Sequence, residues 1–150
     1  MVRIDVPGYS ENMRKEPHGQ PTDSPTPLEG ARTFEPTADQ VGEARHFAGA
    51  LLRSWGLEPD TTELVVSELA TNASVHAKTP YRVNVSDGDG AIHVRVDDDN
   101  PVPPVMAAES DEATGGRGLR IVNQLSRVWG VALHQGDGKT VWAELKAAAK

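Results

Sequence analysis

The sequence predicts an α/β (α+β) two-layer sandwich, with a mostly antiparallel mixed sheet and helices on one face. Three observations predict it. "YRVNVS" and "AIHVRVDDD" alternate apolar and polar residues on either side of "DGDG", the pattern of an antiparallel hairpin. "TADQVGEARHFAGALLRSWGL" and "ELVVSELATNASVHA" carry apolar residues at helical spacing. Strand, two helices, two strands, loop, helix and two strands follow one another without an internal repeat.

Residues 1–30, rich in Pro, Gly, Ser and charge, lack hydrophobic periodicity and cannot offset their ordering entropy. A disordered N-terminal tail is expected there, and a single domain over 31–150. Order begins at "ARTFEP", an edge strand ended by Pro36. The first helix places Val41, Ala44, Phe47, Ala48, Leu51, Leu52 and Trp55 inward, with Thr37 as N-cap and Gly56 as its stop. The second helix starts after Pro59-Asp60. Beyond the hairpin, residues 99–115 are irregular and Pro-rich, a length of loop that is usually functional or disordered. "GGRGLRIVNQLSRVWG" opens with glycines and becomes helical, with Leu119, Val122 and Leu125 inward. "GVALHQ" and "TVWAELK" form the last two strands around "GDGK".

The chain has 22 acidic and 15 basic residues, a formal net charge of −7. That balance opposes generic binding to nucleic acid or anionic membrane, yet leaves room for a local phosphate pocket. With no cysteine, disulfides and thiolate metal sites are excluded. No signal-peptide run or bilayer-length apolar stretch is present, so a cytoplasmic protein is expected.

Three stretches carry candidate chemistry. On the second helix Leu64, Glu68, Asn72 and His76 recur at four-residue intervals and share a face. Such a stripe is either a solvated face or a site in which Asn72 supplies an oxygen to Mg²⁺ and Glu68 accepts a proton. In "AIHVRVDDDNP", Ile92, Val94 and Val96 share a face, so Asp98 falls on that inward face while Asp97 and Asp99 point outward. An inward carboxylate suits an exocyclic amine such as that of adenine; a run of strand-ending acids is the plain alternative. In "TGGRGLRIV", Gly116 and Gly118 bracket Arg117 at a helix start, where backbone N–H groups favour phosphate, although an ordinary flexible helix start reads the same way.

Other patterns fail. "GDGKT" has Leu133 where a Walker A loop has its first Gly, and a strand follows it. "GRGLRI" lacks the third Gly of a dinucleotide fingerprint, and Val102 and Pro103 break a calcium loop starting at Asp98. The five histidines show no metal-ligand spacing.

In order, "SELATNASVHA", "VRVDDDNPVPP", a loop, "GGRGLRIV" and "GKTVWAEL" resemble the GHKL (histidine kinase-like) ATPase superfamily over about residues 31–146. The single short domain is most similar to the anti-sigma-factor serine/threonine kinases, in the form common in filamentous actinobacteria. The resemblance implies a Bergerat-type ATP-binding fold with ATP and Mg²⁺ as cofactors. It implies Glu68 as general base, Asn72 as the Mg²⁺ ligand and Asp98 as the adenine-binding acid. It further implies Gly116, Arg117, Gly118 and Leu119 as the phosphate-receiving segment, residues 102–115 as an ATP lid and Thr140 at the nucleotide pocket. Asn100 stands where better-known members have the glycine of Asp-x-Gly, and left-handed geometry at Asn would preserve that turn. The implied partners are an anti-anti-sigma protein and a sigma factor, with a homodimer plausible by resemblance. Trp142, opposite in parity to Val141 and Leu145, points away from the core and is either an interface residue or merely covered.

Overall fold

The computed structural model describes residues 3–4, 28–102, 117–135 and 137–150. Their elements are β1 (Arg3–Ile4), β2 (Leu28–Phe34), α1 (Ala38–Ser54), α2 (Asp60–Asn72), β3 (Tyr81–Gly88), β4 (Ala91–Asp98), α3 (Arg117–Leu125), β5 (Val128–Leu133) and β6 (Lys139–Lys146). The six strands form one sheet in the order β1-β5-β6-β4-β3-β2. Only the two-residue β1 pairs in parallel, with β5; every other pairing is antiparallel. β2 is an edge strand, as Pro36 implies, and starts at Leu28, earlier than the apolar pattern shows.

Alternation builds the sheet face that meets the helices. Val131, Val141, Val96 and Val83 form one row across four strands, and Trp129, Ala143, Val94 and Val85 form the next. All are buried in one cluster with Ala44, Ala48 and Leu52 of α1, Val65, Val66, Leu69 and Ala70 of α2, and Leu119 and Val122 of α3. The Val and Leu side chains among them stabilise by about 1.5–3 kcal/mol each on full burial, so the sandwich is held chiefly by this cluster. The small residues of α2 let it pack against β4 as well as against α1 and α3.

Helix ends follow local chemistry. Gly56 takes φ +74° after α1, and the Gly56 and Leu57 N–H groups donate to the carbonyls of Arg53 and Leu52. Those two bonds are a Schellman motif, which satisfies carbonyls the helix leaves open. Thr37 does stand at the N-cap, but its side chain makes no capping hydrogen bond; Asp39 supplies the favourable charge in the first turn. At the start of α2 the Asp60 N–H donates to Glu58 Oε1 at 2.7 Å. Asp89 and Gly90 both have positive φ, the requirement of a two-residue type I′ turn between β3 and β4.

The second helix departs from a single regular rod. After Asn72 the chain makes a π-helical turn, Ala73–Ala77, closed by the Lys78 N–H donating to the Ala73 carbonyl and by Lys78 at φ 60°. Bonding five residues back winds the chain more loosely than an α-helix. The four-residue stripe therefore ends at Asn72, and His76 is exposed.

Candidate functional site

The helix-facing row at one end of the sheet is Leu133, Lys139, Asp98, Tyr81 and Phe34, which face one another across β5, β6, β4, β3 and β2. Asp98 lies on the inward face, as its parity predicts, and only 2 % of its side chain is exposed. Lys139 lies directly opposite on β6 with 5 % of its side chain exposed, and its Nζ is 3.1 Å from Asp98 Oδ1. Nζ also donates to the Asn100 carbonyl at 2.9 Å. Asp98 Oδ1 accepts a second bond, from the Asn100 N–H at 2.8 Å. No hydrogen bond reaches Asp98 Oδ2 among the described residues. Burial pushes the Asp98 carboxyl above the ordinary carboxylate value, against the lowering effects of the Asn100 N–H and of Lys139.

Asn100 keeps the turn by a different device from the one its tolerance of left-handed geometry suggests. It is not among the positive-φ residues. Instead its N–H donates to Asp98 Oδ1, and its own Oδ1 accepts the Val102 N–H at 2.9 Å. Two consecutive side-chain turns of this type replace a glycine. Thr79 Oγ1 accepts the Asp99 N–H at 3.1 Å, so the exit of the π-helical turn is tied to the same segment.

Glu68 and Asn72 are half-buried on α2, while Leu64 one turn earlier is exposed. The helix that carries them, α2, packs on both β4, the strand that ends in Asp98, and α3, the helix that opens at Arg117. Leu119 is buried in the core cluster and supports the first turn of α3 from beneath. Gly116 and residues 103–115 of the expected lid lie outside the described residues, as does most of the expected tail.

Thr140 is not brought to Asp98. It follows Lys139 by one residue, so its side chain emerges on the opposite face of the sheet. There Thr140 Oγ1 donates to Asp97 Oδ1 and lies 2.7 Å from His134 Nε2. The residue that reaches the acid is Lys139, which sequence reasoning passed over. The signal was present: Val141, Ala143 and Leu145 are buried core residues, and the same parity carries Lys139 inward. Trp142 lies outside that cluster but is buried, which corresponds to the covered alternative.

Tyr81, the cross-strand neighbour of Asp98, stacks on Phe34 with ring centroids 5.8 Å apart. Its hydroxyl is buried without a hydrogen-bond partner among the described residues. Burial, with a smaller effect from the negative charge of Asp39, pushes the phenol up to about 12, so Tyr81 is neutral at physiological pH.

These features define a class: an α+β sandwich with a buried, partnered carboxylate at a sheet end, covered by a helix that carries a half-buried Glu and Asn. Residues 34–145 match the family model for the histidine kinase-like ATPase domain, and the chain belongs to that family. Membership in an ATPase-domain family implies a site for ATP. A similar solved structure contains the RsbU and RsbW domains of a Mycobacterium tuberculosis protein, with a TM-score of 0.61 and 19 % identity. The similarity covers 83 % of this chain and 33 % of that one, and at this identity it is a likeness of fold. The chain thus spans about a third of that protein's length. No curated protein matches the sequence. No helix among the described residues is long and apolar enough to cross a membrane.

Proposed function

We propose that this chain is a cytoplasmic, Mg²⁺- and ATP-binding regulator that phosphorylates a serine of an anti-anti-sigma partner and also sequesters a sigma factor. The observation that carries the reading is the inward, buried Asp98 at the end of β4 in a chain of this family. A carboxylate oxygen there accepts a hydrogen bond from the adenine amine, while the start of α3, with Gly116, Arg117 and Gly118, receives the phosphates.

Among the described residues, no three His, Asp or Glu side chains converge into a closed metal cage. Mg²⁺ keeps waters and substrate phosphate oxygens and needs only one or two protein oxygens. Asn72 would supply such an oxygen; the ion, when bound, neutralises phosphate charge. In transfer, the serine oxygen bonds to the γ-phosphorus as the bond from that phosphorus to the bridging oxygen breaks. ADP leaves with the electron pair, and the hydroxyl proton passes to Glu68. A new phosphoserine adds about −1.5 to −2 charges at the partner's surface, which would loosen its docking.

The direct test is titration calorimetry of ATP with Mg²⁺, followed by a phosphotransfer assay on anti-anti-sigma candidates encoded nearby. Glu68→Gln is expected to lower transfer by about 100-fold or more while ATP binding is largely kept. Unchanged transfer would remove Glu68 from its role. A second reading, a non-catalytic module whose partner affinity follows the bound nucleotide, is favoured by one observation: Asn100 stands where better-known relatives have the glycine of Asp-x-Gly, and its side-chain turn replaces that residue. ATP binding with no transfer to any candidate would select it. Self-association rests on the resemblance alone and is checked by sedimentation at several concentrations.

A further inference from the structure

We propose that Lys139 is the positioning residue of the nucleotide site. By holding Oδ1 of Asp98 it keeps the carboxylate ionised and turned, so that Oδ2 is the acceptor offered to a base amine. The inference rests on the nucleotide-binding reading above and adds a residue that the resemblance does not supply.

Geometry carries it. The β4–β6 register sets Asp98 opposite Lys139 on the helix-covered face, and both side chains are almost wholly removed from solvent. A carboxylate in such a place has two options, to take a proton or to find a cation. Lys139 supplies the cation, and the Asn100 carbonyl fixes the ammonium from its other side, so the lysine is itself anchored. Oδ1 is saturated by Lys139 and the Asn100 N–H, which leaves Oδ2 as the free acceptor among the described residues.

The surrounding groups cannot do the same work. Asp99, next along the chain, raises the Asp98 carboxyl further. Tyr81, across on β3, is neutral, and the helix covering β4 brings the carboxylate of Glu68 and the uncharged Asn72. Among the described residues, Lys139 is therefore the cation on which the acceptor form depends. With the proton on Oδ2, Asp98 would turn a donor toward an adenine amine, and any acceptor oxygen it still offered would lack the assistance of charge.

Two readouts on Lys139→Met test this, with Lys139→Arg as the variant that keeps the charge. In the nucleotide-free protein, the Asp98 carboxyl carbon is followed by NMR against pH. Its titration midpoint is expected to rise by about one pH unit or more in Lys139→Met and to stay near wild type in Lys139→Arg. In calorimetry, Lys139→Met is expected to bind ATP about tenfold or more weakly at a pH about one unit below its own Asp98 midpoint and to recover as pH rises through that midpoint, whereas wild type changes little over the same range. An unmoved Asp98 midpoint overturns the proposal. So does tighter ATP binding by Lys139→Met, which would make Lys139 an occupant that nucleotide must displace. If wild type binds no ATP, the nucleotide reading falls, while the NMR titration still decides whether Lys139 governs Asp98. Should Lys139→Met fail to fold, Lys139→Gln, which keeps a donor without the charge, is taken through the same titration.

Discussion

Gly138→Ala is expected to destabilise the protein by roughly 2–5 kcal/mol and to abolish binding at the Asp98 site, because overpacking and backbone strain act together. Gly138 precedes β6 and takes φ +125°. A Cβ there would overlap the Asp98 carbonyl oxygen and stand 2.9 Å from Asp99 Cα and 3.1 Å from the Asp98 carbonyl carbon. All three atoms are backbone, so no rotamer change relieves the overlap. Either β6 withdraws from β4 or the Asp98–Asn100 turn moves, and both separate Lys139 from Asp98. The contrast is Gly30, whose added Cβ would meet only the side chain of Leu51, which can rotate. Urea denaturation of the two variants measures the difference. A Gly138→Ala midpoint close to wild type would mean that the close approach of β6 to Asp98 is not maintained in solution.

The reach of sequence reasoning into this site has a physical limit that particular residues show. Alternation in β4 places Asp98 inward because one face of the strand is covered and a one-residue slip would expose Val94 and Val96. The same rule applied to β6 selects Lys139. The family resemblance points to Thr140 instead, whose parity puts it on the opposite face of β6. The pairing of Lys139 with Asp98 needs one further fact, the β4–β6 register, and register between strands some forty residues apart is a tertiary property. The π-helical turn was hidden for a different reason. Ala73 and Ala77 are both buried at a spacing of four, so an α-helix and a wider turn leave the same apolar pattern. The turn at Asn100 was legible in kind but not in mechanism. Asn was chosen for its tolerance of positive φ, while the chain uses its side-chain oxygen.

Asp98→Ala is expected to cost about 3–5 kcal/mol, more than the removal of an exposed acid, because it strands a buried ammonium. Among the described residues, Lys139 would then keep the Asn100 carbonyl as its remaining partner. Adding Lys139→Met to Asp98→Ala is expected to restore much of the loss, since the second change removes the uncompensated charge, and urea denaturation of both singles and the double forms the cycle. If the double mutant is no more stable than Asp98→Ala, the two side chains are not coupled. The pH dependence adds a sign. The folded-state value of Asp98 is raised, so between the ordinary carboxylate value and the raised one the folded protein binds more protons than the unfolded chain. The contribution of Asp98 to stability is fully present below that window and declines as pH rises through it, a slope that Asp98→Asn removes. Ionised Asp98 is therefore held at some cost to folding relative to its protonated form. A carboxylate that burial favours as protonated is met by a lysine on the opposite face of β6 from Thr140, Glu144 and Lys146. That arrangement is understandable as the maintenance of an acceptor for a ligand, and the loss of ATP binding in Asp98→Asn under conditions where the variant is shown to be folded is the result that would bear this out.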